Sequence, residues 1–117
     1  MTELNSPRMV DAMNALENED FPLAFRLFSS LAETGNPKAQ CNLATLYHFS
    51  FGVTADGKKA VALYQAVAEQ DIREEHLSGI AYNNLATIYI SGFPGVDADP
   101  QKASEYRNRA KELGFEM

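Results

Sequence analysis

The chain has 117 residues, 45% of them hydrophobic, with 16 acidic and 10 basic side chains and a formal net charge of −6. That length fits one compact domain, and that apolar content excludes disorder as the default. The charge excludes a nucleic-acid backbone as partner, because Lys and Arg are few and scattered, with no run longer than Lys58-Lys59.

A single cysteine, Cys41, leaves no internal disulfide and no thiolate metal cluster. The first residues, Met1 to Pro7, have neither the basic stretch nor the apolar stretch of a secretory signal. No apolar run approaches the ~18 residues of a membrane span. Together these predict a cytoplasmic protein with no membrane partner and no cofactor.

In chain order, Ser6-Pro7 reads as an N-cap followed by proline at the first helical position. Met9, Ala12, Met13, Ala15 and Leu16 follow at helical spacing and predict a helix over 7–17. Asp20 caps a second helix with the stripe Leu23, Ala24, Leu27, Phe28, Leu31 and Ala32, stopped by Gly35. Asn36-Pro37 opens a third, with Ala39, Leu43, Ala44, Leu46 and Tyr47 inward. After a loop, Asp56 caps a fourth, built on Ala60, Leu63, Tyr64, Val67 and Ala68.

The connection over 71–79 is unusually long. Glu74, Glu75 and Leu77 are good helix formers and Glu suits a helix N-terminus, so these residues are expected to lengthen the fifth helix at its start. Glu74-Glu75 reads as a solvated helix start, not a carboxylate pair. The fifth helix carries Ala81, Leu85, Ile88 and Tyr89. Asp99-Pro100 opens a sixth, with Ala103, Tyr106 and Ala110 inward and Gly114 as its stop. No segment reads as a strand.

Two stretches are nearly copies. Ala39–Tyr47 reappears 42 residues later as Ala81–Tyr89 with six of nine positions identical. Gly52-Val53, Asp56 and Lys59-Ala60 reappear 43 residues later as Gly95-Val96, Asp99 and Lys102-Ala103, which makes Pro94 the inserted loop residue. A partial third copy places Asp20, Ala24, Leu27, Ala32 and Glu33 36 residues before Asp56, Ala60, Leu63, Ala68 and Glu69. A fixed period of this size marks stacked two-helix units. One domain over 7–114 is expected, divided into pairs at 7–35, 36–71 and 72–114.

The residues Tyr47, Gly52-Val53, Asp56, Lys59-Ala60 and Tyr89, Gly92, Gly95-Val96, Asp99, Lys102-Ala103 resemble the Sel-one-like repeat, a helical repeat of the tetratricopeptide superfamily. The resemblance covers about residues 37–114, and 7–36 looks like an ordinary tetratricopeptide pair. It implies an all-α, right-handed solenoid of about three helix pairs. Ser50 departs from the pattern where a loop glycine is usual, and Leu63 and Tyr106 stand where tryptophan is usual.

Chemistry is sparse. His48 and His76 lack partners at metal-ligand spacing, and seven residues separate Cys41 from His48, about 10 Å along a helix axis and too far for direct activation. An enzyme, such as a hydrolase, is disfavoured. The resemblance implies instead that the first helix of each pair lines a concave face that binds a protein or peptide. It places Lys38, Cys41, Asn42 and Thr45 there in the second unit, and Ile80, Asn83, Asn84 and Thr87 in the third. Asn42 and Asn84 repeat in register and read first as part of the fold. Lys38, Cys41, Tyr82 and Asn83 differ between copies and read as specificity positions.

Two other surfaces compete. Phe49, Phe51 and Phe93 lie at loops on one edge, with Phe51 and Phe93 expected to tuck beneath them. The last residues, Phe115 and Met117, are apolar, and no polar helix follows Gly114, so an open end offers a route to oligomerisation. The family resemblance implies an adaptor or regulatory scaffold, with a bacterial immunity protein that occludes a toxin as the alternative.

Overall fold

The computed structural model describes residues 4–115. Six helices follow one another: α1 (Pro7–Glu17), α2 (Phe21–Glu33), α3 (Pro37–Phe49), α4 (Gly57–Ala68), α5 (Leu77–Ser91) and α6 (Pro100–Glu112). Among the described residues there is no strand, only one isolated bridge between Phe93 and Val96.

Five of the six starts are chemically uniform, whereas α5 begins after His76 with no side-chain cap. Side-chain oxygens of Ser6, Asp20, Asn36, Asp56 and Asp99 accept from the backbone N–H three residues on, at 3.1–3.3 Å. Each satisfies a donor that the first turn leaves orphaned. The ends of the second helices are uniform too. Gly35, Asp71 and Gly114 all take left-handed backbone, with φ of 90°, 52° and 81°. The chain reverses there, and the following N–H of Asn36 and of Phe115 bonds back to Leu31 and Ala110.

The expected extension of the fifth helix does not form. Glu74–His76 make a single 3-10 turn, and Glu75 and His76 have φ of 53° and 58°, so α5 starts only at Leu77. Tertiary bonds outweigh local propensity here. The buried Ser78 Oγ accepts from Ile72 N–H at 2.6 Å and donates to Val67 O at 2.8 Å, which fixes the connection against α4.

Successive helices pack on one another, and α3 also packs directly on α5. By contrast, a furrow floored by Ala62 and Gln65 of α4 and Tyr106 of α6 separates those two outer helices. α1, α3 and α5 are the first helices of the three pairs, and of these α3 and α5 touch directly. One apolar cluster holds Met9, Phe28, Leu31, Leu43 and Leu46. A second holds Tyr64, Val67, Leu77, Leu85 and Ile88, and Tyr47 and Leu63 border both.

The two departures at loop and seam are accommodated. Ser50 adopts the left-handed conformation a glycine would supply, φ 58°, and its hydroxyl donates to Val53 O at 2.8 Å. Tyr106 accepts from Gln65 Nε2 at 3.1 Å.

The open apolar end is also corrected. Phe115 folds back onto α5, so close to Gly79 that a Cβ there would lie 2.9 Å from the Phe115 Cβ. The outward side chains of α6, Glu105, Arg107, Asn108, Arg109, Lys111 and Glu112, are exposed and polar, and its buried residues are Ala103 and Ala110. Met117 lies outside the described residues.

Candidate functional site: the inner face and its aromatic edge

A helix presents residues spaced four, three and four apart on one line. On α3 that line is Lys38, Asn42, Thr45 and Phe49, and on α5 it is Ile80, Asn84, Thr87 and Ser91. On α1, Val10, Met13 and Glu17 line a cavity of about 440 Å³ that reaches Lys38 and Asn5.

The polar side chains of this face are tied to their own helices. Asn42 Nδ2 donates to Lys38 O at 2.9 Å, Thr45 Oγ1 to Cys41 O at 3.1 Å, and Thr87 Oγ1 to Asn83 O at 3.1 Å. Beneath them lies the hydroxyl of the fully buried Tyr64, 3.2 Å from Thr45 Oγ1 and 3.3 Å from His48 Nδ1. Burial pushes the Tyr64 phenol well above its usual range, so it stays protonated. Since Thr45 gives its proton to Cys41 O, Tyr64 donates to Thr45 or to His48.

Lys38 is not free. Its Nζ lies 2.9 Å from Glu75 Oε1 and 2.7 Å from Asn5 Oδ1, while Asn5 Nδ2 donates to Glu75 Oε2 at 3.0 Å. The closed ring of three side chains spans the chain from Asn5 to Glu75. Hydrogen bonds from Lys38 and Asn5 hold the Glu75 carboxyl below its ordinary range. Glu75 is thus an ion-pair partner, where the sequence reading gave it solvent alone.

Two expected positions fall elsewhere. Cys41 is buried among the side chains between α3 and α5, only 5% exposed, and burial pushes its thiol up to about 12. It offers a partner no surface and is no nucleophile. Tyr82 points away from the inner face: its ring lies 5.9 Å from that of Tyr106 and lines an outer cavity of about 230 Å³ with Glu69, Glu105 and Arg109. Asn83, the repeat counterpart of Cys41, is half-buried, and among the described residues its buried Oδ1 has no hydrogen-bond partner. Ile80 is half-buried against the second cluster.

The loop edge carries a run of stacked rings. Phe21 and Phe51 lie face to face, 4.9 Å apart at 6°. Phe51 is 5.9 Å from Phe49, which stacks on His48 at 4.3 Å. His48 in turn meets Phe93 and Tyr64 edge-on. Phe93 tucks inward as expected, whereas Phe51 remains 38% exposed and Phe49 53%. His48 is buried, and burial lowers its basicity, so at neutral pH it is an uncharged member of this cluster. Sequence spacing carried no sign of that role. Among the described residues no group of three or more His, Cys, Asp and Glu could hold a metal ion.

A model of the Sel1 repeat matches residues 37–72 and again 79–115, together more than half of the chain. The chain is 31% identical over 91 residues to Chitin synthase regulatory factor 3 of the fission yeast Schizosaccharomyces pombe, covering 78% of this chain and 9% of that protein. The chain thus spans only a small part of that relative. Among solved structures it is similar to a Sel1 repeat protein from Oxalobacter formigenes, with a TM-score of 0.68 and 26% identity, over 80% of this chain and 66% of that one. No helix among the described residues is long and apolar enough to cross a membrane.

Proposed function

Because the chain belongs to the Sel1 repeat family, we propose that it is a non-enzymatic adaptor or regulator that binds an extended segment of a partner protein along the face of α1, α3 and α5. It acts in the cytoplasm on this reading, with three helix pairs at 7–35, 36–71 and 72–114 as one unit. The supporting observation is the inner line of Asn42, Thr45 and Thr87, whose orientation is fixed by bonds to their own helices, with Asn84 at the repeat position of Asn42. Side chains held in place before contact lose little freedom on binding. They offer amides and hydroxyls to a peptide backbone without demanding its sequence. A regulatory role is also in keeping with the name of the yeast relative.

The test is affinity capture with three proteins: wild type, Thr87→Arg on the inner face and Glu105→Arg on the outer furrow. A stoichiometric partner lost with Thr87→Arg and kept with Glu105→Arg supports the reading. A partner lost only with Glu105→Arg moves the interface to the α4–α6 furrow and overturns it.

A further inference from the structure

We propose that the Phe21–Phe51–Phe49 edge is the seat of a cationic side chain, arginine or lysine, carried by the partner segment. The inference rests on the partner-binding reading and names the chemistry at one end of that segment.

Three features carry it. The first is rigidity. Phe51 is stacked on Phe21 and Phe49 on His48, so the exposed ring faces are held in place by neighbours. Fixed, exposed aromatics are the side chains that most often anchor a protein interface. Phe49 also ends the inner line of α3, which makes the edge continuous with the proposed groove.

The second is charge. The residues next to the rings in the chain, 17–21 and 48–56, contain Glu17, Glu19, Asp20 and Asp56 and no Lys or Arg, although Lys38 shares the adjoining cavity with Glu17. Glu19 and Asp20 directly precede Phe21, and Glu17 lines the adjoining inner cavity. The ring faces therefore sit in negative surroundings, which favour a positive group over an anionic or neutral one.

The third is what this fold does with other rings at the loop edge. Lys59 Nζ lies 5.3 Å from the centre of the Tyr47 ring, and Lys102 Nζ lies 5.1 Å from that of Tyr89. The same repeat position in the first unit is Leu23, so the first unit brings no such lysine. Among the described residues no cation stands over Phe21, Phe49 or Phe51. A cation from a partner fits where the chain supplies none.

The experiment titrates the full chain with acetyl-Gly-Arg-Gly-Arg-Gly-amide and with the same peptide carrying uncharged citrulline, and follows backbone and Phe ring signals by NMR. The expected result is shifts centred on 17–21 and 49–52, and affinity about two- to fivefold weaker for citrulline, the scale of an exposed cation–π contact. Phe49→Leu, which keeps apolar bulk without a ring face, weakens the arginine peptide by a similar factor. The proposal is overturned if citrulline matches arginine, if Phe49→Leu binds as wild type, or if shifts scatter over distant carboxylates such as Glu69 and Glu112. Thr87→Arg separates the two readings. Edge shifts that survive it beside a lost partner in the capture assay leave both standing, whereas edge shifts with no inner-face partner leave only this one.

Discussion

Gly57 lies directly beneath the carbonyl of Pro94. Its N–H donates to that oxygen at 2.9 Å, and a Cβ on Gly57 would stand only 2.5 Å from it. The same repeat position in the first unit is Phe21, where the facing loop is one residue shorter and carries Phe51 stacked on the ring. The extra loop residue of the third unit is thus matched by a missing side chain in the second. Gly57→Ala should cost about 1–3 kcal/mol by overpacking, even though alanine is the better helix former by about 1 kcal/mol. Deleting Pro94 should remove most of that penalty. Urea unfolding of the two single variants and the combination checks it, and strict additivity would contradict the pairing.

Tyr64→Phe should destabilise the protein by about 1–3 kcal/mol, because it strips a shared partner from buried His48 and from Thr45 while leaving the ring packed. A variant as stable as wild type in thermal unfolding would mean that these groups re-pair without the hydroxyl.

His48 predicts how stability responds to acid. Its native basicity is lowered from an ordinary value of 6.5 by burial, so the unfolded chain takes up a proton before the native one does. The resulting stability is fully present above pH 6.5 and is lost as pH falls from there toward the lowered native value. Urea midpoints should therefore drop between pH 7 and pH 5, and His48→Leu should flatten that part of the profile. Glu75 acts lower: its carboxyl is depressed below 4.5, so its contribution is present above that pH and disappears only as pH falls through the depressed value. The two steps separate on the pH axis.

Much of this fold was legible in the chain. The five capping residues, the stops at Gly35 and Gly114 and the repeat offsets are local signals, each set by one residue and its neighbours. What stayed hidden depends on distant groups. Residues 71–79 carry strong helix formers, yet buried Ser78 bonds Ile72 N–H and Val67 O and ties them down as a turn. Cys41 and Asn83 share a repeat position, but the first is buried in the core between α3 and α5 and the second only half-buried. Tyr82 sits two residues beyond Ile80 on a helix, far enough round to face α6 instead of the groove. The inner line itself followed from the repeat register, whereas the aromatic edge required knowing that Phe51 finds Phe21.

The Lys38–Glu75 pair should be worth little by itself. Glu75 keeps 37% of its side-chain exposure, so solvent screens the attraction. Glu75→Gln should cost no more than about 1 kcal/mol, shrinking further at high salt. A larger loss, unaffected by salt, would show that the ring with Asn5 holds the 3-10 turn in place.

Cys41 should be inert in the folded protein. Its thiol is 5% exposed and its ionisation is pushed up to about 12, so almost no thiolate exists near neutral pH. A disulfide reagent should react at the rate of transient opening in buffer and orders of magnitude faster in denaturing urea. Prompt stoichiometric labelling in buffer would mean that α3 and α5 part readily, and the inner face could then not be the fixed surface on which the proposed partner segment depends.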